Sequence, residues 1–109
     1  MLNWLKLSLA VAQSSIAEAG VFGSVSKGVV TPKDCDLYVV SNKSPDSIQW
    51  QQLKCNLNKI REDFSSQFKL SLNVILMTLG EWEEKKLFFL CSSPAVLIKN
   101  RPTRRPFRR

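Results

Sequence analysis

Leu53, Leu57, Ile60, Phe64 and Phe68 fall four, three, four and four residues apart, the spacing of one helix face carried through about four turns. The period then changes. From Lys69 to Thr78, Leu70, Leu72, Val74 and Leu76 alternate with Ser71, Asn73, Ile75 and Met77, the two-residue repeat of a β-strand. A helix that must bury one stripe and runs straight into a strand that must bury one face has few ways to satisfy both. Packing the helix on the sheet that holds the strand does so, and it commits the chain to layers of helix on sheet.

The rest of the chain supplies the other pieces. Leu5, Leu9, Ala12, Ile16 and Ala19 form a second stripe and predict an amphipathic helix over the first nineteen residues, with Gly20 as its C′ glycine. Met1 to Ala19 also has a lysine, an apolar stretch and an Ala10-Val11-Ala12 triplet, a faint likeness to a secretory signal, but the regular stripe favours the helix. Val21-Phe22 is a short apolar piece, and Ser24 to Lys33 is loop-like. Asp34 to Val40, rich in β-branched and aromatic residues, predicts a buried strand. Ser44-Pro45-Asp46 reads as a helix start, with a capping hydroxyl, a proline at the first helical position and an acid near the positive dipole end. Thr78-Leu79-Gly80-Glu81 matches a capping box and opens a helix to about Leu90. After Pro94, Ala95 to Ile98 predicts an edge strand. The order helix, strand, strand, helix, strand, helix, strand predicts an α/β (α+β) domain with a small mixed sheet and helices packed on it. There are no internal repeats.

At 109 residues the chain has room for one core. The absence of histidine excludes Ser-His-Asp and Cys-His catalysis and the usual His-containing zinc sites. Cys35, Cys55 and Cys91 are three in number and far apart with no CxxC, which argues against a disulfide scaffold and for a reduced, cytoplasmic setting. No apolar run reaches the roughly 18 residues of a membrane span. The net charge of +7 is local: Lys99, Arg101, Arg104, Arg105, Arg108 and Arg109 stand in a stretch without acids, and the remainder has ten basic and nine acidic residues. The division is therefore a domain over 1–98 and a basic, disordered tail over 99–109. That tail reads either as a solubilising end or as a salt-sensitive contact to nucleic acid through Arg101, Arg104, Arg105, Arg108 and Arg109.

The chemistry concentrates in Val21-Phe22-Gly23-Ser24 and, nine residues on, Asp34-Cys35-Asp36-Leu37. Aspartates at i and i+2 of a strand share a face, and such close like charges call for a cation between them. Hard oxygen ligands of this kind suit Mg²⁺. A Gly-Ser turn after a strand lets the backbone approach a phosphate and adds a hydroxyl. Together they describe a metal–triphosphate site. Cys35, between the aspartates, belongs to the opposite face as a buried small hydrophobe, and Trp4, Trp50 and Trp82 read as packing residues beside helical stripes.

The run from Val21 to Val40, an apolar residue, Gly-Ser, a loop and then Asp-x-Asp in a strand, resembles the signature of the minimal nucleotidyltransferases of the polymerase-beta-like superfamily, in particular their antitoxin-like stand-alone domains. The resemblance implies a nucleotidyltransferase-like fold. It also implies that Gly23, Ser24 and Lys27 bind nucleotide phosphates, that Asp34 and Asp36 ligate one or two Mg²⁺ ions, and that a nucleoside monophosphate passes to a hydroxyl. The acceptor would be a partner protein, toxin-like, or RNA. Active members present a third carboxylate from the next long strand. Here Ser71 and Asn73 hold that face, and Asn73 can position a hydroxyl or ligate weakly but cannot serve as a general base. Two expectations follow: an enzyme using Asp34, Asp36 and Asn73 on a Mg-bound nucleoside triphosphate, or a catalytically degenerate binding module that contacts nucleic acid through its tail.

Overall fold

The computed structural model describes residues 2–22, 34–91 and 95–99. Helix α1 (Leu2–Leu9) leads through a 3₁₀ helix (Ala10–Ser15) into strand β1 (Ile16–Phe22), followed by β2 (Asp34–Ser41), α2 (Ile48–Phe68), β3 (Ser71–Thr78), α3 (Leu79–Cys91) and β4 (Ala95–Lys99). The sheet is mixed, in the order β3-β2-β1-β4. β2 and β3 run parallel, joined by α2 as the crossover helix, while β1 is antiparallel to both β2 and β4. Among the described residues no helix is long and apolar enough to cross a membrane.

The first helix is much shorter than the stripe predicts. It stops at Leu9, Ala12 leaves helical geometry, and Ile16–Phe22 is the central strand β1. Leu5 and Leu9 are buried as expected, but Ile16 and Ala19 continue the three- and four-residue spacing by coincidence. Six of the seven β1 residues are buried, since the strand has neighbours on both sides and cover on both faces. A strand in that position shows no alternation, which is why its period misleads. Gly20 is consequently a strand residue and not a helix C′.

The α2 stripe and the β3 alternation hold. Leu53, Leu57, Ile60 and Phe64 of α2 pack with Leu5, Leu9, Ala19, Val21, Cys35, Leu37, Val39 and Leu72 into the main core on one face of the sheet. Trp4 caps its end, edge-on to Phe64 and Phe68 at 5.9 and 5.5 Å. The start of α2 lies three residues later than Ser44 suggests. Ser47 is the N-cap and accepts the Trp50 N–H at 3.2 Å, whereas Pro45 sits in a turn closed by the Ser47 N–H on the Ser44 carbonyl. At the other end Lys69, in left-handed geometry at φ 59°, gives its N–H to the Ser65 carbonyl and turns the chain into β3. The capping box forms as read: the Thr78 N–H donates to Glu81 Oε1 at 3.0 Å and the Glu81 N–H to Thr78 Oγ1 at 3.1 Å. Lys99, counted with the tail by charge, closes β4.

Candidate functional site

Three strand ends meet on the face of the sheet opposite the main core. In the β1–β2 ladder Phe22 stands opposite Asp36, and in the β2–β3 ladder Asp36 stands opposite Asn73. These three residues form one row across the sheet. Within it, Asn73 Nδ2 donates to Asp36 Oδ1 at 3.1 Å. Asp36 is half-buried and Asn73 exposed, so the pair lies at the surface, with ladders on both sides of Asp36 and one, to β2, holding Asn73. Asp34 opens β2 opposite Ser71. Gly23, Ser24 and Lys27 lie outside the described residues, as do the tail arginines Arg101, Arg104, Arg105, Arg108 and Arg109. Gly23 follows Phe22 in sequence, and Phe22 itself lies one strand spacing, about 4.8 Å, from the strand that carries Asp36.

Beyond Asp36 on the same face the sheet carries an aromatic layer. The Tyr38 ring lies over Gly20, where an added Cβ would come 2.7 Å from Tyr38 Cε1, so only glycine admits it. Trp82 of α3 stacks on that ring, centroids 5.0 Å apart and planes 7° from parallel. The Tyr38 hydroxyl donates to Glu18 Oε2 at 2.9 Å, and Glu18 is only 3% exposed. Ala17, Val40 and Met77 complete this second cluster, and Phe22 packs at its border. The layer fixes α3 to the sheet and stiffens the strand two residues from Asp36. Sequence reading misses it because Glu18 is assigned to a helix. The available signal is a glycine in an apolar run that a tyrosine could cover.

Cys35 is fully buried in the main core, and Trp82 is a packing residue, as read. Asp36 with the amide oxygen of Asn73 is a hard-oxygen donor set of the kind Mg²⁺ takes. Among the described residues no group of three His, Cys, Asp or Glu side chains forms a metal cage. A cleft of about 560 Å³ borders the row on its β3 side, lined by Arg61, Glu62, Ser65 and Ser66 of α2 and by Ser71, Leu72 and Asn73.

No protein-family model and no curated protein matches the chain. Solved structures do. A mutant of the toxin–antitoxin pair MntA–HpeT superposes with a TM-score of 0.57 at 16% identity, over 92% of this chain and 74% of that one. A toxin–antitoxin structure with AMP-PNP superposes with a TM-score of 0.58 at 17% identity, over 91% of this chain and 73% of the other. MntA is a minimal nucleotidyltransferase, and the fold of this chain is nucleotidyltransferase-like.

Proposed function

We propose that this chain binds a Mg-bound nucleoside triphosphate and transfers its nucleoside monophosphate to a hydroxyl on a protein or RNA. The observation that carries this reading is the row Phe22–Asp36–Asn73, with a hydrogen-bonded carboxylate at its centre and Gly23-Ser24 next in sequence after Phe22. Asp34 and Asp36 would hold Mg²⁺, which supplies charge neutralisation to the phosphates when bound. Gly23 and Ser24 would offer backbone N–H groups and a hydroxyl to the phosphates, and Lys27 a cation. In the transfer the acceptor oxygen bonds to the α-phosphorus, the bond from that phosphorus to the bridging oxygen breaks, pyrophosphate leaves with the electron pair, and the hydroxyl proton passes to solvent or to the pyrophosphate. Asn73, through Nδ2, orients Asp36. Its amide has no basic atom, so uptake of the acceptor proton does not fall to it.

That the position opposite Asp36 is an amide and not a carboxylate favours a second reading, a nucleotide-binding module without catalysis. The protein partners and the AMP-PNP of the structural neighbours suit both. Thermal melts and a labelled-nucleotide transfer assay separate them. A ligand that binds only the native state raises Tm by mass action, so millimolar Mg-ATP is expected to raise it and Asp36→Ala to abolish the shift. No shift refutes nucleotide binding. A shift without transfer to partner protein or RNA assigns the chain to the binding module.

A further inference from the structure

The two edges of the sheet are built differently. β4 is five residues long, ends in Lys99, and pairs with β1 through a register shift between Ala19 and Gly20. Short length, a lysine and an irregular ladder are common devices that keep a sheet edge from pairing with another chain. β3, at the opposite edge, has none of them. Its eight residues, Ser71–Thr78, contain no charge, proline or glycine, and they pair with β2 in unbroken register from Asp34↔Ser71 to Ser41↔Thr78. Among the described residues no strand lies on its outer side. Ile75 is 41% exposed there, and Val74 and Leu76, though part of the main core, are only half-buried.

We infer that the outer edge of β3 pairs antiparallel with β3 of a second copy of this chain, about a two-fold axis at Ile75, making one continuous eight-stranded sheet. The choice of a second copy rests on self-complementarity. A two-fold through a residue sets odd positions against odd and even against even, so the core faces of both sheets join and so do their opposite faces. Centred on Ile75, the pairing sets Ile75 against itself, Val74 against Leu76 of the partner subunit and Asn73 against Met77 of the partner subunit. The half-exposed apolar residues of the edge then cover one another, and with no charge along the strand nothing repels its own copy. The partner copy would thus stand beside Asn73 and border the approach to Asp36.

Sedimentation of the full-length chain tests the association. A dimer is expected at micromolar concentrations, and Ile75→Lys, which opposes two ammonium groups at the axis, is expected to raise its dissociation constant at least about tenfold with the far-UV circular dichroism unchanged. Val96→Lys, on the β4 edge, serves as the control and should leave the dimer intact. A cross-link tests the register without relying on a charge. Residues facing each other in an antiparallel pair have Cα atoms about 4.5–5.5 Å apart, within disulfide reach, so Ile75→Cys in a Cys55→Ser background should oxidise to a covalent dimer. A wild-type monomer overturns the proposal and leaves the edge to a strand from a different protein. A dimer that withstands Ile75→Lys, or one in which Ile75→Cys does not cross-link, overturns it as well.

Discussion

Replacing Asn73 by aspartate turns the amide that holds Asp36 into a second carboxylate at the same place. The Nδ2 to Oδ1 distance is 3.1 Å, so the two negative groups would sit within about 4 Å of each other. At that separation the repulsion is about 1 kcal/mol in bulk water and about 4 kcal/mol at the effective dielectric of a protein surface. With Asp36 half-buried and position 73 exposed, a value between these limits applies. The lost hydrogen bond to a charged acceptor adds about 1.5–3 kcal/mol at most. Asn73→Asp should therefore lower stability in EDTA by roughly 2–5 kcal/mol, and since 1 kcal/mol shifts Tm by about 4–8 °C in a domain near this size, the melt should fall by about 10 °C or more. Asn73→Ser, which removes the donor without adding charge, should lose only the hydrogen-bond part.

The penalty has a direction with pH. Repulsion raises the folded-state pKa of one of the two carboxyls above its unfolded value, so the destabilisation is full above that raised pKa and is relieved as pH falls through it. Mg²⁺ should relieve it at neutral pH by binding between the two groups, giving the variant a larger Mg²⁺-dependent rise in Tm than the wild type. If the transfer reaction occurs, a positioned base is worth about 10²–10⁴-fold, so the same variant should raise the rate as long as Asp34 and Asp36 remain. Equal melts of wild type and Asn73→Asp in EDTA would refute the contact. Equal Mg²⁺ shifts would refute the cation site. A robust wild-type rate that Asn73→Asp lowers would show that another residue takes the proton.

Gly20→Ala places a Cβ 2.7 Å from the Tyr38 ring, and overpacking of this kind should cost about 1–3 kcal/mol by denaturant titration. Tyr38→Phe removes the donor to buried Glu18 while keeping the stack on Trp82, and should cost about 1–3 kcal/mol. Lys69→Gly relieves a side chain from φ 59° and should stabilise the chain by about 1 kcal/mol, read as a higher denaturation midpoint at unchanged m-value. The Thr78 backbone N–H holds the Glu81 carboxyl below its ordinary pKa, so the cap contributes stability above the unfolded pKa and loses it as pH falls through the depressed folded one. Glu81→Gln should flatten that acid limb in pH-dependent melts.

The elements whose period is legible in the sequence bury one face only, whereas β2, buried on both faces, is legible through its β-branched and aromatic content. α2 and β3 each set an apolar side against a polar one, and their periods survive in the letters. β1 does not, because it lies between two strands and under both layers. Its residues are chosen for size on each face: Ala19 and Val21 toward α1 and α2, Gly20 beneath the Tyr38 ring. That requirement leaves a string of small and β-branched residues whose three-residue echo with Leu5 and Leu9 imitates a helix. Glu18 is hidden for the same reason, since a carboxylate satisfied by a hydroxyl twenty residues away in sequence carries no local mark. The capping hydroxyl of α2 is missed by three residues because Ser44-Pro45-Asp46 and Ser47 offer the same chemistry, and only the turn between them decides which one faces the first helical N–H groups.

The approach of Asp36 to Asn73 is the one element of the site that alternation alone supplies. Once β2 and β3 are parallel neighbours joined by a helix, the core-facing sets Cys35, Leu37, Val39 and Leu72, Val74, Leu76 fix which residues share the other face, and parallel register does the rest. A one-residue slip of β3 would bury Asn73 and expose Leu72. The packing of α2 thus determines the position of the amide against the carboxylate. A change in the α2 stripe should therefore be felt at Asp36 before it is felt at the aromatic layer around Trp82, which the sheet and α3 hold on their own.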